Sequence, residues 1–113
     1  MAKAKIKFRA SSVGMKEGTL YYQVIHNRVV RQIHTDYKLF ASEWDNRSEA
    51  VILHHIPTEI KRDNYILSIS ERIIWDKERL RKIILTLGQF DSFTAEDIVL
   101  RFQENRKDTS YGA

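Results

Sequence analysis

The chain has no cysteine, so neither a disulfide framework nor a thiolate metal site is available to it. No stretch approaches the roughly 18 apolar residues of a membrane span, and the start Met-Ala-Lys-Ala-Lys has no apolar signal segment. The expected location is the cytoplasm, with no membrane partner. Glycine and proline are sparse, at four and one in 113 residues. Gly14 and Gly18 fall in an aperiodic segment that reads as a loop, Pro57 opens a helix and Gly88 ends it. Gly-x-Ser-x-Gly, phosphate-loop and paired-carboxylate patterns are missing too, which removes the common hydrolase readings. No cofactor is expected.

Acidic residues are scarce in one region only. From Lys3 to Phe40 eight basic residues (Lys3, Lys5, Lys7, Arg9, Lys16, Arg28, Arg31, Lys38) face two acids, Glu17 and Asp36. From Pro57 to Ala113 ten basic residues balance ten acids. The pI of 9.4 therefore reflects a local field, and a positive field confined to the first third points to a polyanionic partner there. The plain alternative is a solvated sheet that its lysines keep soluble.

Three strand-like runs lie inside the basic region. Lys5-Ile6-Lys7-Phe8-Arg9 alternates strictly, placing Ile6 and Phe8 on one face and three cations on the other. Gly18 to Thr35 reads as a hairpin about Asn27-Arg28. In that register His26 pairs with Val29, Val24 with Arg31, Tyr22 with Ile33 and Leu20 with Thr35, and this largely apolar face packs inward. The other face carries Tyr21, Gln23, Ile25, Val30, Gln32 and His34. Asn-Arg is a weaker turn signal than Asn-Gly because arginine must accept positive φ, and a slip of one residue exchanges the two faces.

After the hairpin, Ser42 is placed to cap a short helical turn and Trp44 to plug one face of the sheet. Asn46 to Glu49 reads as a polar loop, and Val51-Ile52-Leu53 as either a last strand or a docking segment. A helix with Thr58 as N-cap runs to Leu87, with an apolar stripe at Ile66, Ile69, Ile73, Leu80, Ile83 and Leu87 broken only at Asp76. At 1.5 Å per residue such a helix spans roughly 45 Å, more than a small sheet covers. Its remainder packs against a second copy, a later domain or the terminal helix. Phe93-Thr94-Ala95-Glu96-Asp97-Ile98 carries a capping box from Thr94 to Asp97, with Phe93 stapled on Ile98. A short amphipathic helix follows through Ile98, Val99, Leu100 and Phe102, and Gln103 to Ala113 reads as a fraying polar tail.

The expected fold is α+β: a small three-stranded antiparallel sheet followed by a long helix and a short C-terminal helix. Three parts are expected, residues 1–56 as the sheet, 57–88 as a connecting helix and 89–113 as the start of a further helical unit.

The hairpin, then Thr35-Asp36-Tyr37-Lys38-Leu39, then Glu43-Trp44-Asp45, resembles the amino-terminal end of bacterial tyrosine recombinases, the integrases of phages and conjugative transposons. The resemblance implies an arm-type DNA-binding domain of three strands and a helix. The long helix and the Thr94 helix start resemble the passage into that family's SAM-like core-binding domain, here truncated. The implied function is sequence-specific binding of double-stranded DNA at the arm-type sites of a mobile element, in integration and recombination. The chain departs from the family pattern at Gln23, where arginine is frequent, and at Arg28, where glycine is frequent. The family's catalytic His-x-x-Arg motif is absent, since His26, His34, His54 and His55 are followed at that spacing by Val29, Tyr37, Pro57 and Thr58. Tyr111 matches nothing in the family's active site. The chain is expected to be a non-catalytic portion of such an enzyme.

On this reading Gln23 and Gln32 are placed to pair with adenine, and Arg28 to reach a guanine or a phosphate. Lys5, Lys7, Arg9 and Lys38 are phosphate contacts, while Tyr21 and His34 add hydroxyl and imidazole contacts. No metal centre is expected, because His26 and His34 fall on opposite faces and the neighbours His54 and His55 diverge. Two competing classes remain. One is a protein-interaction module that self-associates through the 57–88 helix with an incidental basic sheet. The other is RNA binding, for which only Tyr21 qualifies as an exposed stacking aromatic.

Overall fold

The computed structural model describes residues 2–54, 56–90 and 92–111, apart from the side chains of residues 105–111. His55 and the Tyr111 side chain thus lie outside the described residues. The chain is α+β. Strands β1 (Lys3–Arg9), β2 (Gly18–His26) and β3 (Val29–Leu39) form an antiparallel sheet in that order. A 3-10 turn (Ala41–Glu43) leads to the short hairpin β4 (Trp44–Asp45) and β5 (Ala50–Val51), and then to helices α1 (Ile60–Leu87) and α2 (Ala95–Tyr111). No helix among the described residues is long and apolar enough to cross a membrane.

The β2–β3 hairpin turns at Asn27 and Arg28, with φ of 50° and 67°. Positive φ at both central residues defines a type I′ turn, whose twist matches the flanking strands. Arg28 accepts that conformation, and the register runs as the alternation predicts, from His26 opposite Val29 to Tyr21 opposite His34. Beyond that point it changes. Thr19 pairs with Lys38, so Leu20 alone faces the stretch Thr35 to Tyr37, and the expected Leu20–Thr35 pair is replaced by a bulge. The Thr35 hydroxyl fills the gap in the ladder: it donates to the Leu20 carbonyl at 2.6 Å and accepts the Tyr37 N–H at 3.1 Å. Two extra residues preserve side-chain parity, so Tyr37 and Leu39 remain on the buried face with Ile33. Gly18 belongs to β2 rather than to the preceding loop. A Cβ there would collide with the Phe8 ring and the Arg9 carbonyl, and only glycine admits the close approach.

Two helix starts differ from the sequence pattern. Ser42 lies inside the 3-10 turn, whose cap position is Phe40. Thr58 is consumed in a turn closed by the Glu59 N–H to the Ile56 carbonyl at 2.9 Å, so α1 begins one residue later, behind Glu59, without a side-chain cap. Gly88 does end α1, but in right-handed conformation (φ −63°, ψ −12°), and the following Gln89 and Phe90 N–H groups close tighter i to i−3 bonds. The α2 start follows the sequence signal: Asp97 Oδ2 accepts the Thr94 N–H at 2.8 Å and Thr94 Oγ1 accepts the Asp97 N–H at 3.1 Å. Phe93 stacks on His26, with centroids 4.1 Å apart and planes 9° from parallel. The helix continues past Phe102 to Tyr111, where a fraying tail was expected.

One apolar core unites these elements. Ile6, Leu20, Tyr22, Val24, Ile33, Tyr37 and Leu39 from the sheet meet Trp44, the α1 stripe, and Ala95, Ile98, Val99 and Phe102 of α2. Of the three covers open to the long helix, the terminal helix supplies one: Arg79 of α1 donates to the Phe102 carbonyl at 2.7 Å and lies 4.4 Å from its ring centroid.

The interruption of the stripe is itself buried. Asp76 is 6% exposed, and its Oδ2 accepts hydroxyl hydrogen bonds from Tyr22 and Tyr37, each at 2.7 Å, while Arg79 lies 3.5 Å from its other oxygen. A second polar lock sits in the first turn of α1. Arg62 donates to both Glu43 oxygens, at 2.6 and 2.9 Å, and to Glu17 at 2.8 Å, and its guanidinium lies over the Phe40 and Tyr65 rings. Burial pushes the Glu43 carboxyl up, but the Arg62 donors, the Phe40 N–H and the arginine charge together hold it below the usual carboxylate range.

Truncating Asp76 removes the carboxylate that accepts both tyrosine hydroxyls and faces Arg79, so Asp76→Ala is expected to cost about 3 kcal/mol in urea unfolding. Tyr37→Phe is expected to cost roughly 1.5 to 3 kcal/mol. The triple change Asp76→Leu, Tyr22→Phe, Tyr37→Phe recovers most of the loss, and unaltered midpoints in the single variants would refute the lock. Because the Glu43 carboxyl is depressed in the folded state, its stabilisation is complete above the ordinary carboxylate pKa of about 4.3. It fades as the pH falls through the folded value. The stability gap between the native chain and Glu43→Gln is therefore constant from neutral pH to about 5 and narrows below about 4; a gap that widens on acidification contradicts the assignment.

Candidate nucleic-acid interface

Since Tyr22 and Tyr37 reach α1 through the inner face, the opposite face of the sheet is left without a helical cover. The register places its side chains in rows that cross all three strands. Lys5 stands opposite Gln23 and Gln23 opposite Gln32; Lys7 opposite Tyr21 and Tyr21 opposite His34; Arg9 opposite Thr19 and Thr19 opposite Lys38. A fourth row, Lys3, Ile25 and Val30, lies nearer the hairpin tip. Strands are about 4.8 Å apart and same-face residues about 6.8 Å apart along a strand. The three strands thus form a surface about 10 Å wide, which suits the roughly 12 Å major groove of duplex DNA.

Eight of the nine sequence-selected residues share this surface: Lys5, Lys7, Arg9, Tyr21, Gln23, Gln32, His34 and Lys38. Arg28 does not belong to the rows; it sits in the turn at the tip, beyond the last pair. Five cations stand on the surface with Lys3 included, and Asp36 is the one acid that the sequence supplies to the three strands. Arg31, by its parity, belongs to the other face, and its guanidinium pairs with Glu96 of α2 at 3.4 Å.

The two glutamines are not equivalent. Arg9 reaches over the Tyr21 ring, 5.0 Å from its centroid, and donates to Gln32 Oε1 at 3.2 Å. That bond uses one lone pair of Gln32 Oε1 and orients the amide, so Gln32 is less free to turn than Gln23. Gln23, in the centre of the three strands, has no side-chain partner among the described residues and keeps both donor and acceptor.

No family model, curated protein or solved structure matches this chain.

The histidines divide as the register requires. His34 stands on the exposed surface, whereas His26 is buried against Phe93 with its Nδ1 unpartnered. Among the described residues no three His, Asp or Glu side chains converge on a common point.

The sequence pattern missed one contributor. The 46–49 turn, read as a polar loop, folds against β1 and encloses with it a polar hollow of about 410 Å³ that includes Asn46 and Arg47. The Asp-Asn turn chemistry was visible in the sequence; the strand it docks on, some forty residues earlier, was not.

Proposed function

We propose that the outer face of the β1–β3 sheet binds the major groove of double-stranded DNA, as the arm-site module of a tyrosine recombinase acting on a mobile element in the cytoplasm. What carries the reading is the in-register row Lys5, Gln23, Gln32, flanked by Lys7, Arg9 and Lys38 on a surface that α1 leaves uncovered. Glutamine amides suit base edges and flanking cations suit phosphates. The sheet here acts by holding DNA. The recombinase family's His-x-x-Arg motif has no counterpart in this sequence, so the role proposed for it is binding and not strand cleavage.

A second reading, self-association through α1, draws on Ile74, Trp75 and Leu85, which are 64%, 71% and 58% exposed along that helix. The buried stripe is occupied within the chain, so a dimer would use this outward side. Sedimentation of the native chain against Trp75→Ala decides it: a concentration-dependent dimer lost in the variant supports it, and a monomer at high micromolar concentration removes it.

The DNA reading is tested by titrating the chain with duplex from a mobile-element end and with scrambled duplex over a range of salt. The expected log-salt slope is roughly −4 to −6, with preference for the cognate site. Gln23→Ala relaxes that preference, whereas Lys5→Ala weakens all sequences alike. No binding at low salt would sink the proposal, and equal affinity for both duplexes would remove its sequence-specific part.

A further inference from the structure

The 46–49 turn is held against β1 by bonds from both inside and outside. β1 is an edge strand, and the Ile6 N–H, directed away from β2, donates to Glu49 Oε2 at 2.6 Å. Glu49 takes up positive φ, 53°, to make that reach. Within the turn, Asp45 Oδ1 accepts the Arg47 N–H at 3.1 Å and Asp45 Oδ2 accepts the Ser48 hydroxyl at 2.8 Å. Trp44 Nε1 donates to Asn46 Oδ1 at 2.9 Å. An indole N–H is a donor only, so this bond fixes which end of the Asn46 amide faces the tryptophan. The NH2 end is left without a partner among the described residues.

The hollow between turn and strand is lined by Lys5, Lys7, Tyr21, Asn46, Arg47 and Glu49 among others. Three cations meet there against one carboxylate, and that carboxylate already accepts a backbone N–H. None of the three cations has a carboxylate within 4 Å among the described residues. Exposed lysines alone are ordinary. A guanidinium, two ammonium groups and an oriented amide donor around one preformed polar hollow form an arrangement fitted to a tetrahedral anion.

We propose that this hollow binds one backbone phosphate of the DNA duplex that lies on the sheet. The inference rests on the DNA-binding reading, and Lys5, Lys7 and Tyr21 connect the two because they belong both to the hollow and to the rows on the outer face. Arg47 supplies forked donors to the phosphate oxygens, Asn46 adds its NH2, and the lysines act as point charges. Glu49 is a positioning residue. Its bond to Ile6 sets the turn, and with it Arg47, before DNA arrives, so little ordering remains to be done on binding. The contact fixes where the duplex edge sits against β1 and reads no base.

The test uses the full chain and Arg47→Ala, with Arg47→Lys as the charge-conserving control and thermal melting to confirm that each variant folds. Arg47→Ala is expected to weaken cognate and scrambled duplex by the same factor, roughly tenfold at 0.1 M salt, and to flatten the log-salt slope by about 1. Arg47→Lys restores the slope but only part of the affinity. Independently, inorganic phosphate titrated into the 15N-labelled chain is expected to shift the amides of Lys7 and residues 46–49 saturably, and to lose that effect in Arg47→Ala. If the native chain binds duplex and Arg47→Ala does so with unchanged slope, the phosphate site is wrong and the DNA reading stands. If phosphate saturates at the turn while no duplex binds, the hollow is a free-anion site, and both the backbone assignment and the DNA reading fall. Phosphate shifts scattered evenly over surface lysines overturn the site outright.

Discussion

Asp76 Oδ2 accepts hydroxyl protons from Tyr22 on β2 and from Tyr37 on β3, so one buried carboxylate ties two strands to the middle of α1. Burying that charge is expensive, and the cost is met only while both donors and the nearby Arg79 remain in place. Apolar packing tolerates small sliding of a helix over a sheet, but two bonds converging on a single oxygen do not. The lock thereby selects one rotation of α1 and one face of the sheet for the core. Every property of the outer face follows from that selection, because the residues free to meet a partner are those the tyrosines leave behind.

The sheet accordingly holds its outer face in one defined register. A type I′ turn fixes one end of the hairpin, and the Thr35 hydroxyl repairs the ladder where three residues of β3 oppose one of β2. The bulge extends β3 by two residues without reversing its faces, which is how Lys38 comes to stand beside Thr19 and Arg9. Cation, amide and aromatic groups are thus spaced by backbone geometry, with the Gln32 amide further oriented by its bond from Arg9.

Local chemistry made much of this legible in the sequence. Strict alternation and the Asn27-Arg28 turn gave the faces of the hairpin, the Thr94–Asp97 pair marked the start of α2, and the 3-4 spacing marked the buried side of α1. What escaped were features whose partners are distant in the chain. Asp76 read as a break in an apolar stripe, yet it completes the 66, 69, 73, 76, 80, 83, 87 series; its tyrosine partners lie 54 and 39 residues away. The Glu49–Ile6 bond spans 43 residues. Thr58 has the residue preference of a cap, but a turn through Ile56 and Glu59 competes for the same backbone, a contest that residue preferences alone do not decide. The surroundings of Arg47 are hidden in the sequence for a similar reason, since they depend on which strand its turn rests against.

The Glu49 carboxylate at the edge of β1 also bears on how this chain avoids itself. An open strand presents alternate backbone groups to any similar strand that drifts past, and a second copy is always the most abundant such neighbour. Side-chain alternation gives Ala4 and Phe8 the same outward backbone orientation as Ile6, the middle of the three. Occupying that central N–H with a carboxylate breaks the run of donors that an incoming strand would need, and Lys3, Lys5 and Lys7 place like charges along the same border. The β1 border of the sheet is in this way made a poor template for the edge of a second copy.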